Sequence, residues 1–276
     1  MNKSIRIEKR KGFDSLGLKE LWEYKDLLRY NILKSIKGKY RQMALGPIWI
    51  ILQPLVNTLL FTFVFGNMAG MSEEGTPYVL VTLSALIPWT LFQNSTTFGA
   101  NSLVAQMNVI SKVYFPRMII PLSDILAWFV DFFVPFFVLL VIMFYYDDLP
   151  TTRMLVIPLL LLYVPVPTFG ISLLAASLTV RFRDVKLVIQ YGLRVFMFLT
   201  PVAFTAEKLK SSIEAHWLLE LNPMYWICEG FRWSVTGKGE SPFQLDILPS
   251  IILSIFILGL GIYKFRSSER TIVDLL

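Results

Sequence analysis

The sequence predicts an all-α membrane protein with six transmembrane helices and cytoplasmic N- and C-termini. It also predicts an amphipathic N-terminal interface helix and a short re-entrant helix pair between the fifth and sixth spans. Three observations lead there. First, 55% of the 276 residues are apolar, against roughly 45–50% in soluble domains. Second, the excess sits in long runs, and about 20 apolar residues are needed to cross a hydrocarbon core ~30 Å thick. Third, Lys and Arg alternate between dense and sparse from one inter-run segment to the next, the bias that orients spans.

The spans are expected at about Ala44–Gly66, Pro77–Phe98, Ile119–Tyr146, Met154–Val180, Leu187–Phe204 and Ile247–Phe265. The third and fourth exceed the minimum, which predicts tilt or protrusion. Pro158, Pro165 and Pro167 predict kinks in the fourth, with neighbouring helices satisfying the freed carbonyls. Residues 1–43 carry twelve Lys and Arg. With that segment inside, the cytoplasmic side collects twenty cations and the outer side five, and Arg194 falls within a span. Six spans also return the basic tail to the cytoplasm. The organisation is therefore a cytoplasmic segment (1–43), a six-span domain (44–266) and a cytoplasmic tail (267–276). The first forty residues are charged rather than apolar, so no cleavable signal is expected and Met1 is expected to be kept.

Two segments are neither spans nor simple loops. Residues 16–33 predict an amphipathic helix with Leu18, Leu21, Trp22, Tyr24, Leu28, Ile32 and Leu33 on one face. It suits the cytoplasmic membrane surface, or the surface of a soluble partner. Residues Ala206–Val235 are rich in Trp and Tyr, which favour membrane interfaces, and Asn222-Pro223 divides them into halves too short to span. Two short helices dipping into the outer leaflet are expected; a plain external loop is the alternative.

Several chemistries are absent from the sequence. There is no G-x-x-x-x-G-K-[ST] phosphate loop; Gly237-Lys238-Gly239 lacks its spacing, so ATP hydrolysis by this chain is not expected. No histidine is placed to serve a nucleophilic serine. The lone Cys228 and lone His216 exclude an internal disulfide and a thiolate or imidazole metal cluster. Asp147-Asp148 is expected to be a solvated helix end. The net charge of +6 is accounted for by topology, so no nucleic acid is implied. The ionisable residues inside spans carry more information, because charge in hydrocarbon is costly. Asp124 and Asp131 are seven apart and share a face of the third span. Asp124 and Arg194 lie at similar predicted depth and are expected to pair. Phe196, Phe198 and Phe204 in the fifth span are candidate pore-lining rings.

Ordered patches carry a family resemblance. They are Lys39-Tyr40-Arg41, Leu45-Gly46-Pro47, Trp49, Gln53-Pro54, Asn101-Ser102-Leu103 and Lys112-Val113-Tyr114-Phe115-Pro116-Arg117. They continue with Arg181-Phe182-Arg183-Asp184-Val185, Thr200-Pro201-Val202 and Asn222-Pro223-Met224. In this order around six spans, over about residues 20–266, the chain resembles permease subunits of ABC transporters that export O-antigen, capsular polysaccharide or teichoic acid. The resemblance implies a homodimer in the bacterial cytoplasmic (inner) membrane, paired with two copies of a separate ATP-binding cassette subunit. ATP and Mg would reside on that partner, with no cofactor on this chain. It implies that a lipid-linked polysaccharide arrives near Arg29, Lys37, Lys39, Arg41, Leu45 and Gly46, and that the first and fifth spans line the channel. It implies coupling to the ATPase through a short helix around Asn101–Lys112, including Asn101, Ser102, Leu103 and Lys112, with Arg117, Arg181 and Asp184 nearby. It makes the segment around Asn222 and Pro223 the re-entrant element. Two other classes compete. An ion-coupled secondary transporter would use Asp124, Asp131 and Arg194 as a relay, but no inverted repeat is visible. A membrane glycosyltransferase would want a soluble catalytic domain or more loop carboxylates.

Overall fold

The computed structural model describes residues 18–40, 48–68, 76–113, 115–212 and 217–275. Every regular element among them is helical. In order these are α1 (Leu18–Glu23), α2 (Lys25–Tyr40), α3 (Ile48–Phe61, continued by a π-helical turn Thr62–Met68), α4 (Tyr78–Ala105) and α5 (Met107–Ile110). Next come α6 (Ile119–Asp131), α7 (Phe133–Tyr145), a 3₁₀ turn Thr152–Val156, α8 (Ile157–Tyr163), α9 (Pro165–Thr179) and α10 (Val185–Phe198). The last are α11 (Ala206–Ser212), α12 (Trp217–Glu220), α13 (Pro223–Thr236), a 3₁₀ turn Leu245–Ile247 and α14 (Leu248–Leu275).

Four helical stretches are long and apolar enough to cross a membrane: Ile48–Gly66, Ile119–Tyr145, Thr152–Thr179 and Leu245–Glu269. They coincide with the expected first, third, fourth and sixth spans. The second expected span is α4, of 28 residues, rich in Ser, Thr, Asn and Gln. It is the hub of the bundle, packed against α3, α6, α7, α9, α10 and α13. Several of its polar side chains are satisfied locally: Ser84, Thr90, Thr97 and Ser102 each donate to a carbonyl three or four residues earlier, while the Ser95 and Thr96 hydroxyls are buried with no partner among the described residues. The fifth expected span, drawn to Phe204, stops at Phe198. Pro201 lacks an N–H and disfavours helix at Thr200, and α10 at 14 residues is about 21 Å long by its rise.

Prolines segment the other spans. The fourth breaks at Val164, with Pro158 and Pro165 in the first turns of α8 and α9, where a missing N–H costs nothing. The third breaks at Phe132, three residues before Pro135. A proline there removes the donor that would have reached the Asp131 carbonyl.

Small residues let helices touch. A Cβ on Gly261 of α14 would strike the backbone of Gly170 on α9, and a Cβ on Gly170 would strike that of Leu258 at 2.7 Å. Such contacts are how helices associate where lipid removes the hydrophobic drive. Asp147 has φ 56°, and Asp148 N–H donates to Met143 O at 3.0 Å. That is a Schellman cap on α7, so the Asp147-Asp148 pair is a helix terminus. Gly237, at φ 72°, caps α13 in the same left-handed region.

Candidate functional site

The N-terminal helices do not form a single flat surface helix. The chain turns at Tyr24 and then stays helical to Tyr40, seven residues beyond the expected end. The apolar face is split. Leu21, Tyr24, Leu27 and Leu28 pack on a cluster containing Leu103, Ile119, Ile120 and Phe265, while Trp22 and Leu33 are exposed. What docks α2 on α6 is a polar stripe at four-residue spacing: Asn31, Ser35 and Lys39. Asn31 is buried. Ser35 Oγ donates to Asp124 Oδ1 at 2.6 Å. Lys39 Nζ donates to Asp131 Oδ2 at 2.7 Å and sits 3.6 Å from the centroid of the Trp128 ring.

The stripe answers the two carboxylates on α6, so the expected Asp124–Arg194 ion pair is not formed. Asp124 is engaged by Ser35. Arg194 lies on the exposed side of α10, its guanidinium 5.5 Å from the ring of Tyr191. Among the expected headgroup residues, Arg29 and Lys37 are exposed and Lys39 is taken by Asp131. Arg41, Leu45 and Gly46 lie outside the described residues, as does His216.

At the predicted cytoplasmic end, the short helix is only α5, Met107–Ile110. Asn101, Ser102 and Leu103 belong instead to the last turns of α4. Asn101 Nδ2 donates to Thr97 O at 2.7 Å, and Ser102 and Leu103 are buried, so neither of those two is open to a partner. Lys112, Arg181 and Asp184 are exposed. Arg117 is held by the C-terminal helix: its backbone N–H and its guanidinium donate to the Glu269 carboxylate and carbonyl.

Several helices leave apolar faces open, α7 and α14 among them. On α3 these include Ile48, Ile51, Val56, Leu59, Leu60 and Phe63; on α10, Leu187, Val188, Tyr191, Val195 and Phe198. Phe198 is thus exposed. Phe196 packs inward against Trp89 and Phe92, and Phe204 meets Phe65 edge-on at 5.1 Å.

The aromatic segment after α10 carries part of the protein's core. Within α13, Tyr225 and Trp226 are fully buried against Ala206, Leu209 and Leu219, and Phe231 lies in the main core; Trp233 is half-buried beside Phe243. Asn222 caps α13 by accepting from Met224 N–H at 2.9 Å and donates to Thr200 Oγ1 at 2.8 Å, with Pro223 in the first turn. Cys228 is buried, its thiol directed at Ala85 O. One turn further, a buried Glu229–Arg232 ion pair gathers the irregular backbone around it. Arg232 donates to the carbonyls of Val81 at 3.3 Å and Pro201 at 2.6 Å, and more loosely to those of Val202 and Phe204. Glu229 accepts from the N–H groups of Ala206 and Glu240, each at 3.2 Å. Sequence reading missed this pair. Its signal was two opposite charges at i, i+3 inside an otherwise apolar helix.

Lys210 forms a partly exposed bridge to Glu220 at 3.1 Å and Glu240 at 2.8 Å. Burial pushes its ammonium down. The hydrogen bonds and charges of Glu240 and Glu220 outweigh that and hold it above the usual lysine value. Among the described residues no group of His, Cys, Asp and Glu could hold a metal ion.

A family model described as ABC-2 type transporter matches residues 26–236. Named relatives cover most of the chain. It is 26% identical over 249 residues to an O-antigen export system permease protein RfbA of Klebsiella pneumoniae, covering 88% of this chain and 94% of that one. It is 26% identical over 257 residues to the Myxococcus xanthus protein of the same name, covering 93% and 98%. To the polysialic acid transport protein KpsM of Escherichia coli it is 22% identical over 242 residues, covering 85% and 91%.

Proposed function

Because this chain belongs to the ABC-2 type transporter family, we propose that it is the membrane-spanning subunit of an ATP-driven exporter of a lipid-linked polysaccharide. It works as a homodimer with two copies of a separate ATPase. The family match over residues 26–236 carries the proposal; the names of the relatives supply the substrate class. The absent phosphate loop is consistent with a motor on another chain.

In this reading six spans cross the membrane and both termini are cytoplasmic. α4 serves as the second span and α10, extended by the following turn, as the fifth; α11–α13 form the re-entrant element. The open faces of α3 and α10 meet the second copy and line the channel between them. Arg29, Lys37 and Arg41 meet the anionic diphosphate of the lipid carrier as it arrives from the cytoplasmic leaflet, where a cation favours such a group. Lys39 has an internal partner and is left out of that role. The exposed residues around α5, with Lys112, Arg181 and Asp184, receive the ATPase. A rigid element seated in each ATPase would carry its closure into the spans.

Deleting the gene and restoring it on a plasmid tests this. Surface polysaccharide should vanish while lipid-linked glycan accumulates inside, and the plasmid copy should restore export. The tagged chain should co-purify with a nucleotide-binding subunit. Normal surface glycan in the deletion strain would refute the proposal. An ion-coupled carrier would instead export without nucleotide and respond to collapse of the proton gradient.

A further inference from the structure

We propose that the cavity between α3, α4 and the α6–α7 span is a saccharide subsite, which takes neutral sugar units of the glycan in transit. The inference rests on the exporter reading and adds a contact for the glycan beside the channel, where α3 adjoins α4 and the α6–α7 span. The cavity has a volume of about 510 Å³, within the roughly 300–1,000 Å³ of small-molecule sites. From Ile87 to Phe98, α4 lines it for about 16 Å at the helical rise.

Charge argues for a neutral ligand. Lys39 and Asp131 both line the cavity, but they neutralise each other at 2.7 Å with side chains 9% and 8% exposed. A phosphate beside Lys39 would also face the Asp131 carboxylate, a like charge, in a site shielded from water.

Polar groups argue for a hydroxyl-rich ligand. The Trp128 indole N–H lines the cavity, buried and without an acceptor among the described residues. The carboxamides of Gln53, exposed, and Asn94, half-buried, face the same space from α3 and α4. Unsatisfied polar groups at membrane depth each cost several kcal/mol. A carboxamide offers two donors and an acceptor oxygen, which suits a pair of neighbouring sugar hydroxyls. A hydrocarbon chain would offer none of the three a partner. The remaining walls are rings and apolar carbon. Trp49 and Phe98 present π faces of negative potential to which the polarised C–H face of a pyranose is attracted, with little resistance to sliding.

The test is Gln53→Leu with Asn94→Leu in the full chain, expressed from the plasmid in the deletion strain. Leucine removes the hydrogen-bonding groups without adding polarity to the membrane, so the purified double variant should melt no lower than the parent. Export, read as surface glycan per membrane-inserted protein, is expected to fall at least fivefold. Undiminished export in a strain that the parent chain complements overturns the subsite. A parent chain that restores no export would instead refute the exporter reading. A second measurement places a photoreactive benzoylphenylalanine at position 94 in glycan-producing cells. Adducts carrying sugar are expected. Adducts to phospholipid acyl chains alone would overturn the saccharide assignment.

Discussion

Replacing Arg232 by Met should be among the most damaging single changes in this protein. The guanidinium is 1% exposed, bonded to Glu229 and directed at four backbone carbonyls from two separate segments. Met matches much of its volume and removes the charge. The loss then has two parts. Glu229, fully buried, keeps only the N–H groups of Ala206 and Glu240. The Pro201, Val202 and Phe204 carbonyls, which follow the proline that ends α10, lose their shared donor. Breaking a buried pair in this way costs about 3–5 kcal/mol, a drop of roughly a hundredfold or more in the folded-to-unfolded ratio. Thermal unfolding of the purified chain in detergent, followed by intrinsic tryptophan fluorescence, should register it as a clearly lowered midpoint. The double change Glu229→Met with Arg232→Met should be more stable than Arg232→Met alone, because no unpaired carboxylate remains. If Arg232→Met melts with the parent, or if the two losses simply add, the pair does not hold this region together and the reasoning fails.

Three further outcomes follow from the packing. Lys39→Met should cost about 3–5 kcal/mol by stranding Asp131, and adding Asp131→Asn should recover part of it; limited proteolysis within α2 reports the release of that helix from α6. Gly261→Val should block the α9–α14 contact and abolish accumulation in the membrane, whereas Gly259→Ala, whose added Cβ meets nothing within 4 Å, should accumulate as the parent does. Lys210→Met should cost no more than about 1 kcal/mol, since its bridges are partly exposed. Because the folded state raises this lysine's pKa, its contribution is complete below the unfolded value near 10.4 and disappears only as pH rises through the folded value, which unfolding midpoints measured from pH 8 to 11 would follow.

Periodicity and run length located the helices because apolar length is what a bilayer demands. They misjudged where helices stop when one proline decides it. Pro201 shortens α10 and Pro135 divides the third span; both are visible in the sequence, but a hydropathy window averages over them. Pairing was less legible. Asp124 and Arg194 were matched by depth along their helices, which gives height in the membrane but no angle about the bundle axis. In the fold Arg194 points away, and the partner of Asp124 is Ser35, from a helix assigned to the membrane surface. The stripe Asn31, Ser35, Lys39 was readable as four-residue spacing, yet an amphipathicity search follows the apolar face and passes over a polar one that docks.

The same geometry separates two kinds of buried charge that a sequence presents alike. Glu229 and Arg232 are one turn apart on a single helix, so they meet as soon as α13 forms, and together they organise the broken backbone around Pro201 and the Gly237–Gly239 turn. Lys39 and Asp131 are ninety-two residues apart and meet only when α2 docks on α6. The first pair can be lost only by melting α13 or expelling it from the core. The second can be opened by moving α2 as a unit, with α6 and α13 left intact. In a membrane transporter, a cation that must leave its partner before its helix can move acts as a catch. Lys39 also lines the cavity with Gln53 and Asn94, so a sugar unit lodged there would touch the catch directly.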